Sequence, residues 1–271
     1  MSSTLSFMGA NFWARDVDWQ APDFESIGRS TRARYEPLAT YREAMDELLD
    51  VIASFDVEAV DLWVGHLDPA WATDDHVAIA VESISAHGLG IASLAGGFGE
   101  DLREFERTCE IAVGLGRPIL GGNTAAWDSD RAGVLRLLEQ HELRLAFENH
   151  PEEHTPADML RKFGDAPPEL VGTALDTGWW GTNGYDAALA IEELAERIMH
   201  VHLKDVLKVG EHVSCEFGVG VVPIRQCVRT LLDVGYSGAI SIENGNDDVD
   251  PSDEIRASVA AVRHWLAGDE S

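Results

Sequence analysis

The sequence predicts an α/β fold, a single (β/α)8 barrel in which residues 1–271 form one domain. Three observations carry that expectation. Short apolar segments ending on a polar residue alternate with segments of helical periodicity along the whole chain, the pattern of parallel βα units. The length of 271 residues is near the ~250 residues typical of such barrels and allows eight units of about 34 residues each. No glycine-rich phosphate turn follows the first strand, which counts against a doubly wound dinucleotide-binding sheet.

The first strand falls at 5–11. A long segment, 12–38, follows with Trp13, Trp19, Phe24 and several arginines; connections of this length often serve as lids, and an oligomer contact is the alternative. Thr40-x-x-Glu43 reads as a capping box opening a helix on which Met45, Leu48, Leu49, Ile52 and Phe55 recur at helical spacing. The second strand is at 58–64, with a helix at 74–87 closed by Gly88. The third strand, 91–95, runs into Gly96-Gly97; a helix covers 100–115, and the fourth strand, 117–121, precedes Gly122-Asn123. A helix at 129–141 leads to the fifth strand at 144–148. Thr155-Pro156 opens the next helix as N-cap and first-turn proline, and Gly164 stops it. The sixth strand is 171–176, followed by a helix at 185–197. The seventh is 199–204, followed by a helix at 223–234, and the eighth is 238–243, followed by a helix at 252–267.

A hydrophobic content of 45% supports a substantial core. No apolar run approaches the ~18 residues a membrane helix needs. The N-terminal Met-Ser-Ser-Thr-Leu-Ser lacks the basic start of a secretory signal. A cytoplasmic protein with no membrane partner is expected. Cys109, Cys215 and Cys227 are widely spaced and odd in number, so buried thiols are expected rather than disulfides or a zinc knuckle. The net charge is −28, and Lys162, Lys204 and Lys208 are the only lysines. Such a surface repels polyanions and argues against nonspecific nucleic-acid binding. It also suits a high-salt interior, where screening relieves self-repulsion.

Residues 144–150, Arg-Leu-Ala-Phe-Glu-Asn-His, read as a short strand ending on a carboxylate, Glu148. Three later strands end likewise, on Asp176, His202 and Glu243. The aliphatic residues alternate in each: Leu145 and Phe147; Val171 and Leu175; Met199, Val201 and Leu203; Ile240 and Ile242. Small or polar residues stand between them: Ala146, Gly172, Ala174, His200, Ala239 and Ser241. Side chains alternate across a strand, so the four polar end residues share the face opposite the aliphatic set. In a barrel the carboxyl ends of the strands converge on one rim, where catalytic groups sit. Three carboxylates and an imidazole suit one divalent metal ion, Mn²⁺ or Mg²⁺ first, Zn²⁺ or Co²⁺ as alternatives. A single strand-end acid means little when 48 of 271 residues are acidic; four ends in one phase mean more.

The segments Leu-Ala-Phe-Glu148-Asn-His, Leu-Asp176-Thr-Gly, His200-Val-His202-Leu-Lys-Asp205 and Gly235-Tyr-Ser-Gly-Ala-Ile-Ser-Ile-Glu243 resemble the xylose isomerase-like TIM-barrel superfamily, closest to its sugar isomerase/epimerase branch. The resemblance covers nearly the whole chain, including Asp61-Leu-Trp-Val-Gly-His66 and Phe217-Gly-Val-Gly-Val-Val-Pro223. It implies that Glu148, Asp176, His202 and Glu243 hold one divalent metal. It implies a sugar or polyol substrate, with proton abstraction α to a carbonyl giving a cis-enediolate that the metal stabilises as a Lewis acid. Glu148 and Glu243 are then the acid and base: return of the proton on the opposite face epimerises, and return to the neighbouring carbon isomerises. Two positions depart from ketose 3-epimerases. His154 stands six after the first metal glutamate, where they carry glutamate, and Trp179 stands three after the metal aspartate, where they carry histidine. Both alter the substrate shell.

Lys204, in phase with His202, suits stabilisation of an enolate oxygen or proton donation; a salt bridge to a neighbouring carboxylate is the plainer alternative. His150 shares the phase of Glu148 and suits substrate binding or orientation of a ligand. His66, after the second strand, is placed to reach a substrate hydroxyl, whereas His200 reads as a satisfied core histidine. Trp63 has the inward phase of the second strand and suits an apolar wall for a sugar ring, or else packs against the last helix. Trp179-Trp180 and Trp13 invite the same reading. No arginine cluster suggests a phosphate site, so an unphosphorylated substrate is expected. A lyase removing water or a β-substituent from a keto-sugar or keto-inositol, with His154 or Lys204 assisting the leaving group, is the alternative. Action on abasic DNA comes third, opposed by the acidic surface. A homo-oligomer stays open.

Overall fold

The aliphatic alternation places one face of each strand under a layer of helices and leaves the other to a narrow interior. The computed structural model describes residues 4–20 and 23–267; Met1–Ser3 of the leader argument lie outside them. Ten strands occur in these residues, in chain order: β1 (Leu5–Met8), β2 (Ala59–Trp63), β3 (Gly90–Gly97), β4 (Ile119–Asn123), β5 (Leu145–Glu148), β6 (Val171–Asp176), β7 (Ile198–Leu203), β8 (Asp205–Lys208), β9 (Glu211–Cys215) and β10 (Ile240–Ile242). Eight close into a parallel barrel in the order β1-β10-β7-β6-β5-β4-β3-β2. The expected (β/α)8 fold is present. Strands β8 and β9 form a separate antiparallel hairpin.

The outward residues Leu145, Phe147, Val171, Leu175, Val201, Leu203, Ile240 and Ile242 all join the main core. Inside, a side chain at Gly121 would meet Ser93 and Ala174. Small residues from neighbouring strands thus thin the barrel centre, and the imidazoles of His200 and His202, both buried, occupy it. Met199 breaks the expected alternation. The β6–β7 register shifts between Thr173 and Ala174, so that Thr173 pairs with Ile198 and Ala174 with His200. Met199 instead packs with Ile119, Ala146 and Ala174 in a small cluster of its own.

Most helix ends follow local chemistry. Thr155 and Asp158 form a reciprocal capping box with Pro156 in the first turn, and Gly164, at φ 59°, ends that helix. The Thr40-Glu43 expectation is corrected. The helix runs Leu38–Ala53 from Pro37, and Thr40 lies inside its first turn, its hydroxyl donating to the Pro37 carbonyl. Segment 12–38 is largely helical in its described residues. It contains the helix Phe24–Tyr35, capped by the Asp23 side chain. That helix buries Ile27, Thr31 and Tyr35, one residue per turn, a stripe with too few apolar members to stand out. Among the described residues no helix is long and apolar enough to cross a membrane. The three cysteines are free and buried; burial pushes the Cys109 and Cys215 thiols up to about 12.

Candidate active site

Strand register fixes the centre of the site. His202 on β7 pairs with Asp176 on β6 and Ser241 on β10, while Glu148 ends β5 and the Glu243 amide donates to Leu203 just after β10. The Nδ1 of His202 lies 2.9 Å from Glu148 Oε1 and 3.3 Å from Glu243 Oε2, and the ligand atoms of these three residues lie within 4.8 Å of one another. Asp176 stands beside that trio rather than in it. Its Oδ1 accepts the amides of Gly178 at 2.6 Å and Trp179 at 3.3 Å, capping the helix Thr177–Thr182, and its buried Oδ2 has no hydrogen-bond partner. Lys204 brings its ammonium 2.9 Å from Glu243 Oε1 while its stem lies over Gly178. A Cβ at Gly178 would stand 2.7 Å from Lys204 Cγ, so this close approach requires glycine.

Three carboxyl groups face the Lys204 ammonium and the His202 imidazole in a buried setting. Burial opposes ionisation of Glu148, but the His202 and His150 imidazoles hold it well below the usual carboxylate range. Burial and then the neighbouring Glu243 push Asp176 up to about 7. Burial would lower His202, yet the Glu148, Asp61 and Glu243 carboxylates hold it well above the ordinary histidine value. Lys204, similarly disfavoured by burial, is raised by Glu243 and Asp176. Asp176 Oδ2 and Glu243 Oε2 are buried acceptors without donors, an arrangement that costs free energy unless a cation is shared. Carboxylate oxygens and one imidazole nitrogen are the donor set of a divalent ion. The residues fit.

Several site neighbours were not singled out in the sequence. Asp61, fully buried on β2, accepts from Ser6 Oγ at 2.7 Å and pairs with His200 Nε2 at 2.6 Å; its signal was an aspartate between Val60 and Leu62 within a strand. His200 is thereby satisfied in the core. Asn123 donates to the Glu148 carbonyl at 3.1 Å and accepts from Lys162 at 2.9 Å. Lys162 also pairs with Glu153 at 3.0 Å, and Glu153 accepts the His150 amide. These contacts depend on a helix reaching back over its own loop, which local sequence does not report. Asp205 gathers the amides of Val206, Gly218, Gly220 and Val222 at 2.9–3.0 Å, which ties the hairpin to the following loop.

Around the mouth, Trp179 stacks on His212 of β9 with centroids 3.4 Å apart and lies edge-on to His150 at 5.7 Å. Burial, with Lys204 adding, drives His212 down to about 2, so this stack is between neutral rings. The Nε2 of His150 lies 3.4 Å from Glu148 Oε2. Trp63 is half-buried and rests over Gly65, edge-on to His66 at 5.2 Å. His66 is buried against Tyr35, and burial lowers it to about 3. His154 is exposed. Trp180 is not part of a rim pair. It is fully buried and packs near Tyr185, because the segment after β6 is a helix rather than an open loop. Trp13 donates to the Asn246 carbonyl at 3.2 Å.

The fold and this geometry define a barrel with a carboxylate–histidine centre at the carboxyl ends of β5, β6, β7 and β10. A profile of the xylose isomerase-like TIM barrel family matches residues 49–266, and the chain belongs to that family. It is 27% identical over 147 residues to an uncharacterised protein of Methanocaldococcus jannaschii, covering 51% of this chain and 50% of that one. It is 32% identical over 81 residues to an L-ribulose-5-phosphate 3-epimerase of Escherichia coli, covering 30% and 27%. The chain thus spans half or less of the length of these curated relatives. Among solved structures, an L-ribulose 3-epimerase superposes with a TM-score of 0.70 at 16% identity, over 98% of this chain and 95% of the other. A D-allulose 3-epimerase from Methylomonas sp. gives 0.68 at 11% identity over 98% and 97%. A 3-keto-D-glucoside 4-epimerase from E. coli gives 0.63 at 18% identity over 81% and 94%. At these identities the superpositions speak to the fold.

Proposed function

We propose that this protein is a divalent-metal-dependent sugar or polyol isomerase/epimerase that abstracts a proton α to a carbonyl. The observation that carries the reading is the meeting of Glu148, His202 and Glu243 around one point, beside a buried, unpartnered oxygen of Asp176. These four residues would hold the ion, with Mn²⁺ or Mg²⁺ first and Zn²⁺ or Co²⁺ as alternatives. When bound, the ion supplies Lewis acidity that makes a carbon-bound proton next to a carbonyl easier to remove.

The chain's own residues supply the rest. Glu148 and Glu243 reach the site from different strands, so one takes the proton and the other returns it on the opposite face of the planar enediolate. Lys204, held against Glu243, donates to the developing oxyanion. His150 orients the second oxygen of Glu148. Trp179 and Trp63 offer ring faces to a sugar, His66 backs Trp63, and His154 stands in the outer part of the β5 loop. The nearby ammonium groups of Lys204 and Lys162 are already paired with carboxylates, which supports an unphosphorylated substrate. The L-ribulose-5-phosphate 3-epimerase, L-ribulose 3-epimerase, D-allulose 3-epimerase and 3-keto-D-glucoside 4-epimerase among the similar proteins support the reaction class. A lyase acting on a keto-sugar shares the first step, and the Lys204 ammonium is the feature that favours it.

The test is a panel of ketopentoses, ketohexoses, keto-inositols and 3-keto-glycosides, offered to chelator-stripped protein before and after Mn²⁺ is restored. The reading expects a stereoisomer or isomer of at least one compound only with metal. Metal-restored conversion with loss of water or a substituent would replace it with the lyase.

A further inference from the structure

The inward aspartate of β2 has no part in the proton transfer, yet it is completely buried against the site. Asp61 is fully buried, as are Ser6, His200 and His202 around it. Its Oδ1 accepts from Ser6 Oγ at 2.7 Å. Its Oδ2 lies 2.6 Å from His200 Nε2 and 3.3 Å from His202 Nε2. The His202 contact is longer and falls outside hydrogen-bond geometry, and the buried Nε2 of that ring has no hydrogen-bond partner. The His200 and His202 rings stand nearly perpendicular, 83°, with centroids 5.1 Å apart. One carboxylate therefore sits between two imidazoles of the same strand, gripped by Ser6 and His200 and turned toward the inner nitrogen of His202.

We infer that Asp61 is a positioning residue for the metal site: it holds the His202 proton on Nε2 and so keeps the Nδ1 lone pair facing Glu148 and Glu243, with which it would hold the ion. The physical reason lies in the two nitrogens of a neutral imidazole. Only one carries a proton, and the acceptor facing the other side of the ring decides which. A carboxylate at Nε2 makes Nδ1 the lone-pair side, fixes the ring's rotation and increases its basicity as a ligand. Burying a carboxylate this deeply is costly unless it is fully hydrogen-bonded, and Ser6 and His200 supply those bonds. The His200 bond, made to the same Oδ2 that faces His202, keeps that oxygen turned toward the ring. The His-x-His spacing of β7 has a physical use here: the inner histidine secures the aspartate that orients the outer one.

The inference rests on the reading that Glu148, Asp176, His202 and Glu243 hold a divalent ion. Its test is binding of Mn²⁺ to the full chain, followed by the free-ion EPR signal, for wild type, Asp61→Asn, Asp61→Ala and Ser6→Ala. Removing a carboxylate behind a metal-bound histidine weakens binding by about 10–100-fold, and that loss is expected for Asp61→Asn and Asp61→Ala. Ser6→Ala removes a bond to Asp61 without touching His202, so it lowers Tm while leaving Mn²⁺ affinity within about two-fold, well short of that loss. A second measurement does not depend on the variants folding. In wild-type protein loaded with diamagnetic Zn²⁺, ¹⁵N NMR of the His202 ring is expected to show a proton on Nε2 and none on Nδ1. Folded Asp61 variants that bind Mn²⁺ as wild type does, equal weakening in Ser6→Ala, or a Zn²⁺ complex with the proton on Nδ1 would each overturn the positioning role alone. Wild type that binds neither ion would overturn the underlying metal-site reading as well.

Discussion

The Nδ1 of His202 lies 2.9 Å from Glu148 Oε1, so a ring nitrogen and a carboxylate that only accepts face each other at the centre of the site. Without a proton or a cation between them the contact is unfavourable. In the proposed enzyme a divalent ion would be shared by the two groups. Asp176→Asn and His202→Asn are accordingly expected to weaken Mn²⁺ by more than about 100-fold, beyond what loss of a supporting residue costs. Calorimetric titration checks this, and unchanged affinity in a folded Asp176→Asn protein would remove that residue from the ligand set.

Lys204 is placed against Glu243 by the absence of a side chain at Gly178. Replacing it with methionine is expected to lower kcat by about 10²–10⁴-fold, the usual worth of a positioned proton-transfer or oxyanion group. Gly178→Ala should move in the same direction by displacing the lysine stem. Steady-state kinetics on whichever substrate the panel identifies decides it. A change confined to KM would make Lys204 a binding residue only.

Asp205, at the base of the hairpin, accepts the adjacent Val206 amide and holds the loop 216–223 through three more, those of Gly218, Gly220 and Val222. Asp205→Ala leaves the buried Val206 and Val222 donors unsatisfied and is expected to cost about 2 kcal/mol or more of stability. It should also open the Phe217–Pro223 segment to limited proteolysis before the barrel unfolds. Urea unfolding and mass mapping of the first cleavage site measure both.

His66 gives the account a pH signature away from the metal ligands. Burial lowers its folded-state value to about 3 from an ordinary 6.5. Between those values the unfolded chain binds a proton that the folded chain does not. Its contribution is therefore intact above pH 6.5 and is lost on acidification, at up to about 1.4 kcal/mol per pH unit. His66→Asn should be less stable at pH 7 yet show a shallower loss between pH 6.5 and 4. Parallel stability curves for the two proteins would contradict the buried, neutral histidine.

Much of this architecture was legible because the alternation along β5, β6, β7 and β10 is a local signal that repeats. It gave the barrel, the inward phase of Glu148, Asp176 and His202, and the position of Glu243. What it did not give has long-range causes. The β6–β7 register shift that sends Met199 inward is a property of two strands together. Asp61 meets His200 across 139 positions of sequence, and only the closed barrel unites them. The helix Phe24–Tyr35 is amphipathic through a single buried residue per turn. The Trp179-Trp180 pair reads alike in sequence, but the short helix capped by Asp176 turns one ring to the mouth and the other into the core.

The proposed reaction is proton abstraction at a carbon next to a carbonyl by this metal-dependent pair of glutamates. It is tested most directly by incubating Mn²⁺-loaded protein in D₂O with the ketose, keto-inositol and 3-keto-glycoside panel and following product mass, with Glu243→Gln alongside. The account predicts a gain of one mass unit without net loss for at least one compound, absent in Glu243→Gln. Turnover of a compound with no deuterium gained, or equal gain in the Glu243→Gln protein, would contradict it.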